Sequence, residues 1–360
     1  MDRDNSQTAR LLRVIGSPFV AERERPSDEA EALSLYELAK KNKSGIFYLT
    51  SLKERDLLEP FSLQGLYEAE KDRYDKQWVT AVRISRVLNA IGCDYAIIKS
   101  IMPYPATPND VDIIHFGSDE EYDKAVVAIL ASNYTEIKGE MDAEQKLFHD
   151  LRECAHADMS KKDMYDVDLY QQLSASHILY MDKNKLRMYA ELTPIRGEEI
   201  RVLNPNAEHV LTIVHSIIPE MLQTLMVYYT TLYLLSRMTA EDVASFYSIA
   251  RENHVLHCVR MHLSIVGEVH ASAHGTTPPI LDRLIEIFGE APSESRILLL
   301  KDLKMPHKYG MGSIVKILFE KMNEPLFRRS LYVQMRHMAR PRYVYWFVKE
   351  MSVRRRRETY

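Results

Sequence analysis

The stretch that most restricts what this chain can fold into is Ile97-Ile98-Lys99-Ser100, followed ten residues on by Asp110-Val111-Asp112-Ile113-Ile114. It reads as an apolar strand ending in a small residue, a short loop, and a second strand carrying two aspartates. Side chains alternate faces along a strand, so Asp110 and Asp112 project to one side while Val111 and Ile113 enter a core. Their Cα atoms lie roughly 6–7 Å apart, from the rise per residue. Two carboxylates on one face of a buried strand repel each other unless a cation sits between them. Oxygen ligands of this kind suit Mg²⁺, which binds through one or two carboxylates together with phosphate oxygens. The small Ser100 before the loop leaves room for a phosphate to approach the backbone. Asp110 also follows Pro108-Asn109, where an aspartate can serve only the turn. Asp112 interrupts an apolar run, and buried carboxylates are usually paired or metal-bound.

Around this pair the pattern alternates helix and strand. A short helix is expected near Ala9–Ile15, and a second from Pro26-Ser27 to about Asn42, with Gly45 as its stop. Ile46-Phe47-Tyr48-Leu49 reads as a short strand. A long charged helix runs from about Leu66 to Ala90, with Gly92 at its end, and feeds the strand Tyr95–Lys99. Ser118 and Glu121 form a capping-box pattern ahead of a helix with Tyr122, Ala125, Val126, Ile129 and Leu130 on one face. Strands are then expected at Tyr134–Lys138, Lys146–Cys154 and Met164–Leu169. From Asn204 onward the signals are helical, with starts at Asn204-Pro205, Thr239 and Pro278-Pro279. The fold class expected is α+β: a small mixed β-sheet with helices on one side, followed by a mostly helical C-terminal domain. The expected division is 1–75, a mostly helical extension; 76–203, the sheet-bearing core; and 204–360, the helical domain with a basic end.

The ordered set of strand, Ser100, Asp-x-Asp, helix and later acidic strand resembles the nucleotidyltransferase superfamily, whose fold is that of DNA polymerase β. It is most similar to a branch in which the first strand ends in Lys-Gly and a proline-containing loop precedes the acidic pair. Here Lys99-Ser100 stands at that position, and Pro103, Pro105 and Pro108 fill the loop. The resemblance covers roughly residues 76–275. It implies that Asp168, in Tyr165-Asp166-Val167-Asp168-Leu169-Tyr170, is the third carboxylate; Asp166 on the same strand face is its rival. The chain departs from the pattern in having Lys99 where the superfamily has its first glycine. Thr107, Pro108 and Asn109 occupy the loop where the branch carries an arginine, and Tyr170 stands where it has a histidine. The chemistry implied is transfer of a nucleoside monophosphate from a nucleoside triphosphate such as ATP to an acceptor hydroxyl. Asp110, Asp112 and Asp168 would hold two Mg²⁺ ions, and Lys99 and Ser100 would contact the phosphates. Asp168 would help deprotonate the acceptor, which can be a small molecule, a protein or an RNA. The reading from another class is a binding module, a catalytically degenerate cleft that holds nucleotide or nucleic acid without turnover.

The remaining features place limits on this. The 360 residues carry a net charge of −4, which gives no overall pull toward nucleic acid or membrane. Basic residues nevertheless collect at the C-terminal end, from Arg328 and Arg329 through Arg336, Arg340, Arg342 and Lys349 to Arg354–Arg357. Tyr332, Tyr343, Tyr345, Trp346 and Phe347 interleave with them, a mixture suited to phosphate contact and base stacking. A solvated basic helix, or one docked on an acidic face of the same protein, gives the same pattern. Cys93, Cys154 and Cys258 lack metal-ligand spacing and fit reduced thiols of a cytoplasmic protein. The polar start Met1-Asp2-Arg3-Asp4-Asn5 shows no signal-peptide core. The apolar run from Met221 to Leu235 is shorter than the roughly 20 residues a membrane span needs and reads as a buried helix. His254, His257, His262, His270 and His274 fit structural roles in helices. His209 and His215 fall on the helix after the sheet, where one of them can face the cleft.

Overall fold

The computed structural model describes residues 6–137, 144–150, 165–289, 291–341, 343–345 and 348–349. The ends of three expected strands, Lys138, Cys154 and Met164, lie outside the described residues. Helices α1 (Gln7–Ile15), α2 (Glu29–Lys41), α3 (Gly45–Lys53) and α4 (Gln64–Ala90) precede the first strand. The expected strand at Ile46–Leu49 is the middle of α3, and Gly45 opens that helix instead of stopping α2, which ends at Asn42. Nearly every residue of α3 is buried, so its sequence has no polar face to reveal a helical period. The chain leaves α4 through Gly92, whose φ of +64° is cheap only for glycine.

Strands β1 (Tyr95–Ile98) and β2 (Asp110–His115) then pair antiparallel, with Ile98 opposite Asp112. Helix α5 (Asp119–Ala131) follows, with both halves of the Ser118–Glu121 capping box formed. Next come β3 (Tyr134–Glu136), β4 (Gln145–Asp150) and β5 (Asp166–Tyr170), the short pair β6 (Ser174–Ala175) and β7 (Ile178–Leu179), and helix α6 (Lys183–Arg187). The hairpin of β8 (Ala190–Ile195) and β9 (Glu198–Leu203) completes a mixed sheet of order β3-β4-β5-β2-β1-β9-β8. β2 and β5 are parallel neighbours, as are β1 and β9. The β8–β9 hairpin adds two strands the sequence does not announce. Much of β8 is exposed, and its Pro194 lies on an edge strand, where a missing N–H costs least.

The two faces of the sheet are covered differently. Ile97, Val111, Ile113, Val167 and Leu169 pack against Ala81, Ile84 and Leu88 of α4 and Tyr122, Ala125 and Ile129 of α5. Ala96, Ile98, Ile114 and Tyr170 join a second core built from helices at both ends of the chain. That core includes α1–α3 and α7 (Pro205–Ile217), α8 (Leu225–Leu235), α9 (Ala240–Glu252), α10 (Leu256–His274) and α11 (Pro279–Phe288). Asn204 caps α7 and Thr224 caps α8 through their side chains. α8 is buried over almost its whole surface, and no helix among the described residues is long and apolar enough to cross a membrane. After α11 come α12 (Pro292–Leu299), the short strand β11 (His307–Lys308), paired with β10 (Leu222–Gln223), and helices α13 (Met311–Lys321) and α14 (Pro325–Met338).

Ile113 is fully buried on the face of β2 that turns away from the aspartates. Ile113→Val should therefore lower stability by about 1 kcal/mol, read from the chemical-denaturation midpoint, and leave any activity of the acidic face intact.

Candidate active site

The parallel register of β2 and β5 sets Asp112 beside Asp168 and Asp110 beside Asp166. Strand alternation then puts all four side chains on one face. Asp110, Asp112 and Asp168 each offer a carboxylate oxygen, and these oxygens lie within 4.8 Å of one another. Among the described residues no other set of three histidine, cysteine or acidic side chains is so placed. Asp166 is engaged elsewhere, in a close contact between its carboxylate and His149 Nδ1 on β4. Asp168 accepts from the Gln145 side-chain amide through Oδ2, whereas its Oδ1 is buried with no hydrogen-bond partner.

The electrostatics follow from this crowding. Burial and the charge of Asp112 push the Asp110 carboxyl up to about 7, against the pull of Lys43 and Lys99. Burial, then Asp112 and Asp110, drive Asp168 well above the usual carboxylate range. Carboxylates this close resist simultaneous ionisation in a dry site, and a bound cation inverts that preference. Close-set oxygens, one of them unpartnered and buried, fit a hard divalent cation such as Mg²⁺.

Lys99 ends β1 in the left-handed region at φ +53°. This is a backbone conformation that a glycine supplies most easily. The turn carries the lysine side chain into the acidic cluster and away from solvent. Its Nζ lies 3.2 Å from Asp112 Oδ1 and 5.0 Å from the centre of the Tyr170 ring. Burial works against the charged ammonium, but the charges of Asp112, Asp110 and Asp168 outweigh it, so Lys99 stays protonated. Its backbone N–H donates to Glu208 Oε1 at 2.6 Å. The Ser100 hydroxyl is occupied by the hairpin itself, donating to the Ile98 carbonyl at 2.9 Å and accepting the Asp112 N–H at 2.8 Å. Gln77 of α4 donates to the Ser100 carbonyl at 2.6 Å.

A second layer surrounds the lysine. The His215 ring nitrogens lie 3.2 Å from Lys99 Nζ, with the Tyr180 hydroxyl 3.2 Å from Nδ1 and Glu220 Oε1 3.2 Å from Nε2. Burial and the Lys99 charge push His215 down. Burial would raise Glu220, but the His215 hydrogen bond and the charges of Lys43 and Lys99 hold it at about 2. His209, the other histidine of α7, points elsewhere: its Nε2 meets the Thr231 hydroxyl at 3.0 Å and its ring stacks on Phe246. Glu208, Thr212 and His215 recur at four- and three-residue spacing along α7, which lines them up on one face toward Lys99. Lys43 comes from the loop between α2 and α3, where Asn42 accepts the Leu225 and Met226 N–H groups. Nothing in the local sequence of 41–44 announces a position near the acids.

The histidines of α10 fit structural roles: His262 lies between Thr231 and Gln223, and His270 meets Ser17 and the Thr276 carbonyl. In the basic C-terminal region, Arg328, Arg329, Arg336, Arg340 and Lys349 are exposed, as are Tyr332 and Tyr345. Tyr343 is buried, and its hydroxyl donates to Gln334, so it offers no stacking surface. The side chains of Arg342, Trp346 and Phe347, and Arg354–Arg357, lie outside the described residues.

No family model matches the chain, and no curated protein matches it. Among solved structures it is similar to an antigenic nucleotidyltransferase-like protein from Paracoccidioides brasiliensis. The identity is 10%, the match covers 49% of this chain and 88% of the other, and the TM-score is 0.31. At that distance no residue role passes from one protein to the other, and the acidic site stands on its own geometry.

Proposed function

We propose that this protein is a metal-dependent nucleotidyltransferase that moves a nucleoside monophosphate from a nucleoside triphosphate to an acceptor hydroxyl. The observation that carries the reading is the close set of oxygens from half-buried Asp110 and buried Asp112 and Asp168, with Asp168 Oδ1 left unpartnered. Mg²⁺ held by these carboxylates would supply charge neutralisation for the triphosphate and for the departing pyrophosphate. The protein's own part is positioning and electrostatics. The acceptor oxygen forms a bond to the α-phosphorus as the bond to the β-phosphate bridging oxygen breaks and pyrophosphate leaves. The Asp168 carboxylate would help take up the O–H proton of the incoming hydroxyl. Gln145 fixes that carboxylate from the other side. Ser100 sets the β1–β2 end so that Asp112 keeps its place.

Lys43 supplies positive charge toward Asp110 and Glu220 from outside the sheet, where a triphosphate would reach it. Lys43→Ala should raise the KM for nucleotide about tenfold with kcat changed less, the size expected for a charge-assisted phosphate contact. Steady-state kinetics at fixed Mg²⁺ checks this.

The test of the proposal is incubation with each nucleoside triphosphate labelled at the α-phosphate, with Mg²⁺, alone and with RNA or hydroxylated small molecules. Pyrophosphate release matched by label on an acceptor supports transfer. Release of neither, across all four bases and acceptor classes, favours the second reading, a binding protein without turnover. That reading draws on the exposed Arg328, Arg329 and Arg336 beside Tyr332 on α14.

A further inference from the structure

We propose that Lys99 is a resident cation of the acidic site, taking the place of one of two metal ions, so that the site binds a single divalent ion. The inference rests on the nucleotidyltransferase reading and concerns how that same site is charged.

Three features hold the ammonium where an ion would sit. The left-handed backbone at Lys99, a conformation unfavourable for a residue with a side chain, aims the side chain back over the sheet. The Glu208 carboxylate fixes that backbone by accepting its N–H. The Nζ is then enclosed by Asp112 Oδ1 at 3.2 Å, the His215 ring nitrogens at 3.2 Å and the Tyr170 ring face at 5.0 Å. Both partners of the Lys99–Asp112 pair have side chains 7% exposed, so the ammonium lies inside the site and not at its rim. A lysine meant for a distant phosphate would have no need of this enclosure.

Charge balance points the same way. Among the groups in direct reach of an ion, three carboxylates and one ammonium leave two negative charges, which one divalent ion neutralises; Glu220 and Lys43 add one charge of each sign farther out. A second divalent ion would meet the fixed ammonium within a few ångströms, and in a site of low effective dielectric that repulsion is severe. Asp168 Oδ1, unpartnered, and Asp110 remain for the single ion.

Mn²⁺ titration followed by electron paramagnetic resonance, with a non-hydrolysable nucleoside triphosphate analogue present, counts the ions and reads whether they are spin-coupled. The wild type is expected to bind one Mn²⁺ with an uncoupled spectrum. Lys99→Met should bind two, coupled, and Lys99→Arg, which keeps the charge, should stay at one. Two coupled ions in the wild type overturn the role of Lys99 and leave the metal reading intact. One ion in Lys99→Met, in a protein whose circular dichroism matches wild type, also overturns it. If Lys99→Met does not fold, the wild-type count decides. No Mn²⁺ bound by the wild type, with Asp168→Asn indistinguishable from it, removes the metal reading itself and this inference with it.

Discussion

Asp168→Asn lowers nucleotide transfer by about 10³-fold or more, equivalent to about 4 kcal/mol of transition-state stabilisation, while the metal-free protein becomes no less stable. The two halves of this expectation have one cause. Asp168 is buried beside Asp110 and Asp112, and its ionised form is disfavoured by burial and by both neighbours. Removing its charge relieves that repulsion in the absence of a cation. The asparagine keeps an oxygen that can accept from Gln145. On the proposed mechanism the same change removes a metal ligand and a group that helps take up the acceptor's proton. Activity should therefore fall without a matching fall in thermal stability. Mg²⁺ should raise the melting temperature of the wild type by more than that of the variant, since ligand binding to the folded state alone stabilises it. Loss of stability in step with activity would mean that Asp168 is a structural carboxylate. Asp112→Asn makes a useful contrast, because it strips the buried Lys99 of its ion-pair partner. It should destabilise, by the several kcal/mol typical of breaking one side of a buried ion pair.

The largest stability effect away from the site is expected at Glu294. This carboxylate is fully buried and accepts from His307 Nε2 at 2.8 Å, the Gly310 N–H at 3.0 Å and the Ser313 hydroxyl. It thereby ties α12 to β11 and to the start of α13. Glu294→Ala leaves these donors buried and unmet, a loss of about 4 kcal/mol at 1–3 kcal/mol each for the less exposed of them. Burial would push the Glu294 carboxyl up, but the hydrogen bonds from His307, Ser313 and Gly310 hold it below its ordinary value. A carboxylate whose folded pKa lies below its unfolded one contributes stability that is present above the unfolded value. That contribution is lost as pH falls toward and through the folded value. Denaturation midpoints should thus drop on acidification below about pH 4.3, the unperturbed glutamate value. Glu294→Gln should flatten this part of the profile. An unchanged acid limb in Glu294→Gln would show that other carboxylates set it.

The acidic strand was readable because alternation is a strict rule: Asp110 and Asp112 had to share a face once Val111 and Ile113 were core. That Asp168 and not Asp166 completes the set depends on a sideways register between β2 and β5, and on His149 engaging Asp166 from β4. Neither can be read from a single strand. The helix ends were legible at Ser118, Thr239 and Asn204, where a capping side chain sits next to its own target. α3 looks like a strand in the sequence because burial on nearly all sides erases the periodicity that distinguishes a helix. The β8–β9 hairpin was missed for the opposite reason, since an exposed edge strand needs no apolar alternation. The direction of the Lys99 side chain was out of reach, because it follows from one positive φ angle and a carboxylate more than a hundred residues away. The helix face Glu208–Thr212–His215 was within reach and marks the second layer.

Binding of a triphosphate to these carboxylates through a metal ion is read by calorimetric titration of ATP, GTP, CTP and UTP, with and without Mg²⁺, into wild type and Asp110→Asn/Asp112→Asn. At least one nucleotide should bind the wild type only with Mg²⁺, and that binding should vanish in the double variant. Binding that ignores both the metal and the substitutions, or no binding by the wild type, would contradict the claim.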